Sequence, residues 1–532
     1  MKQINKQIQR LVMAFALLAL TVTSCDDAEN YYNTIYDIPE VQMSEYRRLF
    51  AVGDTMTLIG RLNPQNNLTV TVGNANAEYK VTGKLYEDPR PTGNVYLHYD
   101  TIAFPITEAM GSGQLPVTVT SGGNAVNLPA IEIVPPAILK GGLSMKEVTT
   151  LAKGDVILYC QNGKGDVYIY RHETRSVEHI AKSGASKTAI SLQGISDQHG
   201  AWQIHTVYSG GVDNSGKNIW LSARTTEASA DNAGNEIYRL LHISAATGTV
   251  TTLNRSLYPI KKEDRTLATI TPFEGGIGQV KIFQTGGIYP DSKGSIYLRL
   301  SNYATCLLEN AADPVAAQLS YLFVTPRSYE AWGIPTWRPE LPYTEEEAPM
   351  PGIAQRSTQG QYFDAENHLM YWIEVPRRDT NFDFLKTSIR LFNLNTRAQL
   401  TELEIASARY LPQRYPAGPF GSLTGVQNET PQEPDGRSRD TDLAGFLPMP
   451  GNKLMVLYYG NTYTLMDFNT RYAYPYAQSV KVPAPYDLKK VNIGSAELGP
   501  NYMGDIGLNY DEEGMIYTTA ERRSVILKTM KK

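Results

Sequence analysis

The segment DEEGMIY, Asp511 to Tyr517, carries a pattern that recurs along the C-terminal three-quarters of the chain. Close copies are NGKGDVY, Asn162 to Tyr168, and DSKGSIY, Asp291 to Tyr297. Each copy has a glycine three places after its first residue and a tyrosine six places after it. Asp or Asn bonds its own backbone in a turn, Gly accepts a positive φ, and β-branched and aromatic residues favour a strand. The pattern therefore predicts a turn followed by a strand.

Looser copies of this turn are Asp231 with Gly234, Asp364 with Asn367, and Asn452 before Leu454. A second turn signal, a threonine flanked by polar or small residues after an apolar strand, runs in step with the first. Its members are Glu173–Arg175, Ala246–Gly248, Asn395–Arg397 and Asn469–Arg471, with weaker candidates at Thr325 and Thr529. The successive threonines are 73, 78, 71, 74 and 59 residues apart.

A fixed period with two turn signals in each repeat is typical of a β-propeller, in which every sheet packs between two neighbours. The sequence predicts six blades. Because the spacing exceeds the roughly 40 to 50 residues of compact blades, either the loops are long or a seventh blade lies near Asp213 to Trp220. The alternative is a large β-sandwich in which the turns recur by coincidence.

Composition agrees with an all-β chain. Its 532 residues include 43 glycines and 34 tyrosines, and only 19% are charged, which suits turn-rich β structure better than helix bundles. The formal net charge is −5. An acidic balance argues against binding to nucleic acid or anionic lipid through bulk charge.

The first residues resemble the signal of a bacterial lipoprotein. Lys2, Lys6 and Arg10 precede an apolar run that is too short to span a bilayer comfortably, and the run ends at Val22-Thr23-Ser24-Cys25. These residues are similar to a lipobox, which implies that residues 1–24 are a signal peptide and that Cys25 carries the lipid. Asp26-Asp27 resembles the export signal of Bacteroidetes surface lipoproteins, so residues 25–39 are expected to tether the chain to the outer membrane through the lipid alone.

Residues 40–135 contain three stretches that resemble a TIG/IPT immunoglobulin-like domain. They are GDTMTLIG, Gly53 to Gly60; LTVTVG, Leu68 to Gly73; and GSGQLPVTVTSGGNAVNLP, Gly111 to Pro129. Alternation in the first two indicates half-buried strands. The resemblance implies a small sandwich that acts as a spacer without catalytic residues, and Pro135-Pro136 then forms a stiff junction into a propeller over residues 136–532.

Several short features have two explanations. Asp54-Thr55-Met56 and Asp100-Thr101-Ile102 resemble an O-glycosylation acceptor, although ordinary strand or turn residues are favoured. Cys160 and Cys306 could form a disulfide, but both lie in apolar runs far apart in the repeat, so two buried free thiols are favoured. Trp202, Trp220 and Trp372 occupy strand contexts and are expected in the core.

Catalytic and metal-binding motifs are harder to find than architecture. The seven histidines form no HExxH motif, and the sequence contains no GxSxG elbow and no Gly-rich phosphate loop before a helix. The turn acids Asp291, Asp364 and Asp511 supply one carboxylate per turn, which is too few for a calcium site. We therefore expect no catalytic residues, no metal site and no cofactor.

Two long interruptions break the repeat, Ser328 to Gln361 and Tyr410 to Asp442. Loops of this length usually bind ligands or are disordered. The first is aromatic and stiffened by proline, so it could stack on a sugar ring or an apolar side chain. Its candidate ligand-binding residues are Trp332, Trp337, Arg338 and Tyr343. The alternative is that both tryptophans pack under their own loop; the second interruption is more polar and is expected to be mobile.

Together, a lipidated terminus, an Ig-like spacer and a propeller resemble the accessory lipoproteins of Sus-like nutrient-uptake systems. The resemblance implies a surface-exposed outer-membrane protein that binds a glycan or peptide beside a SusC/SusD-like TonB-dependent transporter complex, without catalysis. It covers fold and location, and it brings no binding residues with it. The alternatives are a propeller enzyme, a polysaccharide lyase or hydrolase with acids or histidines converging at the channel, and a structural subunit of an envelope complex.

Overall fold

The computed structural model of the chain is almost entirely β-structure and divides into two compact units, Met1–Pro136 and Ala137–Lys532. It describes residues 41–43, 49–62, 64, 67–84, 100–139, 143–227, 234–261, 275–283, 285–300, 304–324, 357–376, 387–405, 418–420, 443–458, 462–477, 480–481, 483–484, 507–520 and 525–531. Within these ranges no helix is long and apolar enough to cross a membrane.

The first unit contains two β-sheets. One pairs its strands in the order β1-β3-β7-β6, and the other in the order β2-β9-β8-β4-β5. The strands are β1 Val41–Met43, β2 Leu49–Phe50, β3 Thr55–Gly60, β4 Thr69–Val72, β5 Ala75–Asn76, β6 Lys80–Lys84, β7 Asp100–Pro105, β8 Gly113–Ser121 and β9 Asn124–Ile133, with a 3-10 helix at Glu108–Met110.

The two sheets of this unit share one core. Leu58 on β3 and Phe104 on β7 pack in the same cluster as Val70 on β4, Val119 on β8 and Ile131 on β9, and all five are buried. Inward residues alternate with outward ones along β3, β4 and β8, as expected for strands with one buried face. The predicted strands at Gly53–Gly60 and Leu68–Gly73 are present as β3 and β4.

The second unit contains six antiparallel sheets among the described residues, here numbered I to VI in chain order. Sheet I is β11 Val156–Leu158, β12 Val167–Arg171, β13 Ser176–Ile180 and β14 Ser186–Ser191. Sheet II is β15 Ile195–Asp197, β16 Gly200–Val212, β17 Asn218–Glu227, β18 Asn235–Ser244 and β19 Val250–Pro259. Sheet III is β20 Gly275–Gly276, β21 Thr285–Pro290, β22 Ile296–Leu300, β23 Ala304–Glu309 and β24 Gln318–Val324.

Sheets IV to VI continue the series. Sheet IV is β25 Ser357–Asp364, β26 Leu369–Pro376, β27 Thr387–Asn393 and β28 Ala398–Ile405. Sheet V is β29 Gly418–Pro419, β30 Leu443–Met449, β31 Lys453–Tyr458, β32 Thr462–Asp467 and β33 Tyr472–Ala477. Sheet VI is β34 Gly507–Tyr510, β35 Ile516–Ala520, β36 Val525–Lys531 and, as its fourth strand, β10 Leu143–Thr150.

Sheet VI closes the series into a ring, because β10 precedes sheet I and yet pairs with β36. The register runs from Leu143 opposite Lys531 to Thr150 opposite Val525. Neighbouring sheets are also joined by backbone hydrogen bonds. The N–H of Tyr159, the residue after β11, donates to Gly210 O on β16 (2.9 Å). Successive sheets closed by the two ends of the repeat make a β-propeller, and we call β11, β16, β21, β25, β30 and β34 the inner strands.

The repeated turn motif joins each inner strand to the strand that follows it in the chain. Asp511 shows why, since its Oδ1 accepts the backbone N–H groups of Glu513 and Met515 (both 3.0 Å). Asp291 does the same with Lys293 (2.9 Å) and Ser295 (2.8 Å). The turn glycines have positive φ, for example +76° at Gly514.

The aromatic residue that ends the motif packs on the next sheet. Trp220 Nε1 in sheet II donates to Ala311 O in sheet III (2.6 Å), and the Tyr297 hydroxyl in sheet III lies 2.6 Å from His368 Nδ1 in sheet IV. Tyr517 closes the ring in the same way, because a Cβ added to Gly165 of sheet I would lie 2.6 Å from its hydroxyl oxygen. Between sheets VI and I, the glycine of one motif and the aromatic residue of another therefore meet in one contact.

Some predicted turns belong elsewhere in the repeat. Gly234 lies in the connection between β17 and β18, so the first turn of sheet II is Asp213–Asn218 and not the copy predicted at Asp231, which lies outside the described residues. The segment Asp213 to Trp220 is thus the turn and start of β17 within sheet II and forms no sheet of its own. Glu173–Arg175 joins β12 to β13 in sheet I. The other three threonine turns join β18 to β19, β27 to β28 and β32 to β33.

The two weaker threonine candidates also need correction. Thr529 lies inside β36 and is buried, because the fourth strand of sheet VI comes from the other end of the repeat and no turn is needed there. Thr325 follows β24 and lies outside the described residues; the corresponding turn of sheet III begins at Asn310, where φ is +53°.

Candidate functional site

The inner strands surround a cavity of about 350 Å³ inside the propeller. Its wall is formed by residues of β11, β16, β21, β25 and β34, together with Arg299 from β22. The neutral polar side chains of the wall are tyrosines, glutamines and a serine: Tyr159, Gln161, Tyr208, Ser209, Tyr289, Gln361 and Tyr362. Such a wall offers hydroxyl and amide groups beside aromatic faces, which is common in sites for small polar ligands.

Tyr159 occupies one end of the cavity. Its hydroxyl donates to the backbone carbonyl of Phe363 (2.8 Å), which belongs to the inner strand of sheet IV. Burial, and next the Asp364 carboxylate, raise the pKa of Tyr159 well above its ordinary value. The phenol therefore stays neutral and remains a hydrogen-bond donor across the physiological range.

Gln361 and Arg299 contribute the buried polar groups of the wall. The Thr305 hydroxyl donates to Gln361 Oε1 (3.2 Å), which orients the amide and directs its nitrogen away from Thr305. Arg299 is 8% exposed and stands in register with Gly287 on β21. Arg299 is the one cation among the described residues that line the cavity.

Asp155 is the one carboxylate among the described residues of the wall. Its oxygens accept the backbone N–H groups of Ala152 and His172 (both 3.0 Å) and an Arg171 Nη1 hydrogen bond at 2.8 Å. These hydrogen bonds and the ion pair occupy the Asp155 carboxylate, which leaves it little capacity to contact a ligand.

Glycines let the inner strands approach each other closely. A Cβ on Gly211 would lie 2.5 Å from Ile288 O and 2.5 Å from Pro290 Cδ of the neighbouring sheet, far inside contact distance. Gly210 and Gly287 face similar conflicts, with Leu158 Cδ2 at 2.6 Å and Tyr289 Oη at 2.3 Å. At Gly211 the neighbouring inner strand is therefore too close to accept a larger residue at the same separation.

The sequence analysis predicts no catalytic residues and no metal site. Within the described part of the chain, no three His, Cys, Asp or Glu residues are grouped so as to hold a metal ion. His179 Nε2 lies 2.8 Å from Asp166 Oδ1, and His172 lies on the turn after β12. The turn acids Asp291 and Asp511 use their Oδ1 atoms for the backbone of their own turns.

The predicted ligand-binding residues Trp332, Trp337, Arg338 and Tyr343 lie outside the described residues, as does Cys25. Of the second interruption, Phe420 is described, and it is buried against Phe468, with ring centroids 5.3 Å apart. This residue therefore belongs to the core of sheet V, contrary to the expectation of a mobile loop there. Trp202, Trp220 and Trp372 are buried as predicted, and Cys160 and Cys306 are buried and are not joined in a disulfide.

The cavity residues were not singled out from the sequence. Tyr159 stands three places before Asn162 and Gln361 three places before Asp364, in strands that look like any other strand of the repeat. One signal was available: Gly210-Gly211 precedes Asp213, and Gly286-Gly287 precedes Asp291, so paired glycines stand inside two inner strands. Glycine inside a strand marks close approach of another backbone or a ligand.

No protein family and no curated protein matches the sequence. Among solved structures, a gluconolactonase from Xanthomonas campestris shares 9% identity at a TM-score of 0.32, over 72% of this chain and 88% of that chain. A DUF4784 family protein from Bacteroides caccae shares 9% at 0.19, over 82% and 95%. The extracellular domain of a B. thetaiotaomicron hybrid two-component system shares 10% at 0.29, over 79% and 39%. TM-scores of this size transfer no activity.

Proposed function

We propose that the protein is a lipid-anchored, surface-exposed outer-membrane lipoprotein that binds a nutrient ligand without catalysing its conversion. The ligand, a glycan or peptide, enters the cavity between the inner strands and is passed to a SusC/SusD-like TonB-dependent uptake complex. The observation that carries this proposal is the chemistry of the cavity wall, with its tyrosines, glutamines and Arg299. Hydroxyl, amide and guanidinium groups hold a polar ligand, whereas acid–base catalysis needs a proton acceptor or donor with an adjusted pKa.

The enzyme hypothesis makes a different demand on the same wall. A lyase or hydrolase needs at least two acids or histidines that converge on the bound substrate. Among the described wall residues Asp155 is one carboxylate, it is paired with Arg171 at 2.8 Å, and no histidine lines the cavity. This distribution favours binding over hydrolysis.

The domain assignment belongs to the same proposal. We assign the six sheets as six blades, the first unit as a TIG/IPT domain that serves as a spacer, and Cys25 as the lipidated residue. The shared core of two sheets, with Val70 on one and Phe104 on the other, fits an immunoglobulin-like sandwich.

Ligand capture is tested by the melting temperature of the full chain with panels of oligosaccharides and peptides. A ligand at 100 times its dissociation constant stabilises a protein by about 2.7 kcal/mol, so a true ligand raises the melting temperature measurably. Gln361→Leu is expected to remove the rise, whereas Gln203→Leu, exposed on β16, keeps it. Chromatography of the ligand afterwards must show no new product; a product would establish the enzyme.

The location is tested at the lipobox. Cys25→Ala is expected to abolish incorporation of labelled palmitate and to release the protein from membranes, and replacement of Asp26-Asp27 by alanines is expected to remove it from the cell surface. Co-purification with a TonB-dependent porter from native membranes tests the partner. Retention of the Cys25→Ala protein in membranes without label would overturn the lipid anchor.

Trp332 and Trp337 stay candidate ligand contacts in this proposal. Changing both to alanine is expected to weaken capture and leave the melting temperature nearly unchanged. A large loss of stability would show that the two rings are core residues.

A further inference from the structure

One end of the channel is closed by side chains from opposite parts of the ring. The Tyr159 hydroxyl of sheet I bonds Phe363 O of sheet IV, three sheets further on. The Tyr289 ring of sheet III fills the space beside this bond: it stacks on Phe363 with centroids 4.1 Å apart and meets Tyr159 edge-on at 4.9 Å. The Tyr289 ring thus touches both residues of the hydrogen bond that crosses the channel, and together they obstruct the channel at this end.

A second layer lies outside these rings, made by the turns that follow the inner strands. Glu366 in the first turn of sheet IV accepts a hydrogen bond from Asn214 Nδ2 of sheet II (2.7 Å) and another from the Ser292 hydroxyl of sheet III (2.7 Å). A carboxylate bonded by two neighbouring turns ties three sheets together at the same end of the channel.

The opposite end of the cavity is reached at the beginnings of the inner strands. Leu151 and Asp155 line it just before β11 starts, and Leu508 lines it at the second residue of β34. Since the turn end is closed in two layers, a ligand has access from this opposite end. The channel is thus a pocket with a floor, and the Tyr159, Tyr289 and Phe363 rings are that floor.

The size and chemistry of the pocket limit what reaches the floor. Its volume of about 350 Å³ is near the lower end of the ~300–1,000 Å³ range of ligand sites. Neutral groups that both donate and accept, such as the hydroxyls of Tyr208 and Ser209 and the amide of Gln361, complement sugar hydroxyls. A peptide N-terminus would instead bring a charged amine into a wall whose acid, Asp155, is already paired.

We propose that the pocket recognises the end of a glycan chain, with the terminal sugar against the ring floor and the remainder of the chain leaving by the opposite end. This inference rests on the proposed binding function and specifies its ligand. Internal segments of a polymer cannot enter, because a chain passing through would have to cross the Tyr159–Phe363 bond.

The test uses the full chain and matched pairs of malto-, cello-, xylo- and galacturono-oligosaccharides, as disaccharides and tetrasaccharides, by titration calorimetry. Each tetrasaccharide is also prepared with its reducing end reduced to the alditol and, separately, with its non-reducing end capped by a methyl ether. We expect a disaccharide and a tetrasaccharide of the active series to bind within about threefold of each other. Blocking one end, and not the other, should weaken binding at least tenfold, which corresponds to about 1.4 kcal/mol.

Two variants connect the result with this pocket. Gln361→Leu is expected to weaken binding of the active disaccharide by about tenfold, the loss of one buried hydrogen bond. The matched change Gln203→Leu, on the exposed side of β16, should not alter it. Circular dichroism melting of both variants shows whether a loss of binding reflects a loss of folding.

The outcomes separate this inference from the function on which it rests. Equal binding of both blocked tetrasaccharides, or affinity that keeps rising with chain length, would overturn end recognition while ligand binding stands. Binding of peptides in place of any oligosaccharide would overturn the glycan class alone. Absence of binding to every oligosaccharide and peptide would overturn the proposed function together with the inference.

Discussion

The contacts between sheets and the wall of the channel are made by adjacent strands, yet they are composed differently. Between sheets, the motif supplies an aromatic residue repeatedly, as with Trp220, Tyr297 and Tyr517, and each of these packs on a turn of the following sheet. In the wall, corresponding strands supply unlike residues, such as Tyr159 and Gly210. The contacts that assemble the ring therefore use recurring residues, whereas the residues that line the cavity differ from sheet to sheet.

This difference has a physical origin. Every sheet needs the same partner surface on its neighbour, so one solution is used around the ring. A cavity wall surrounds a ligand without that symmetry, so each inner strand contributes a different group. Changes at a repeated position should mainly affect stability, and changes in the wall should affect stability and binding together.

The largest effect is expected for Trp220→Ala. The side chain is fully buried and its indole N–H bonds Ala311 O at 2.6 Å, so removing it leaves a cavity between sheets II and III. Truncation of a buried Trp typically costs about 3–5 kcal/mol. Urea unfolding measures the loss, and Trp220→Phe, which keeps most of the volume, should lose less. Equal losses for both variants would assign the stability to the hydrogen bond.

Gly211→Ala tests the spacing of the inner strands beside the wall residue Gly210. The added Cβ would meet Ile288 O and Pro290 Cδ at 2.5 Å, both in the next inner strand, which must shift. Overpacking of this kind costs about 1–3 kcal/mol, and the altered wall should also weaken ligand binding. Gly278→Ala is the matched control, because its Cβ would meet nothing within 4 Å. If both variants unfold at the same urea concentration, the close approach of the inner strands does not contribute to the free energy of unfolding.

A pair of turn glycines separates contact from backbone strain. Gly514 and Gly294 occupy the same motif position with φ of +76° and +88°, so alanine is strained at both by about 1 kcal/mol. At Gly514 the added Cβ would also lie 2.3 Å from Tyr476 Oη of the neighbouring sheet, whereas at Gly294 it meets nothing within 4 Å. Gly514→Ala should therefore lower the melting temperature further than Gly294→Ala. A reversed order would contradict the contact between sheets.

The smallest effect is expected from Asp364→Asn and depends on pH. Burial raises the pKa of Asp364, so the folded chain binds this proton more tightly than the unfolded chain does. Stability from this group is present at low pH and is lost as the pH rises from the unfolded pKa, about 3.9, through the raised folded value. The asparagine variant should lack that decline and match or exceed the parent at pH 7. A parallel pH profile of urea unfolding for both proteins would show that the carboxylate is not destabilised by burial.

The parts of the fold that the sequence predicted are those that repeat locally. Asp511, Gly514 and Tyr517 form a turn and strand start through contacts a few residues apart, so their spacing identifies them. The wrong predictions arose because the turn signals depend only on neighbouring residues in the chain. Thr529 carries a turn-like signal in a strand, because its place in sheet VI depends on β10 from the other end of the repeat.

The candidate site could not be located in this way. Tyr159 becomes a cavity residue because Phe363, some two hundred positions later, supplies a carbonyl across the channel. Neither residue carries a local mark of that meeting, and Gln361 is oriented by Thr305 from another sheet. Only the paired glycines, such as Gly210-Gly211, indicate a crowded place in the strand, and they do not indicate which residue lies opposite.

The pairing of β10 with β36 also governs when the molecule can be completed. Leu143 on β10 is made long before its partner Lys531 on β36. Until β36 has been made, β10 lacks its partner strand and sheet I lacks its neighbour on one side. A protease that removes β36 would therefore open the ring at a single place.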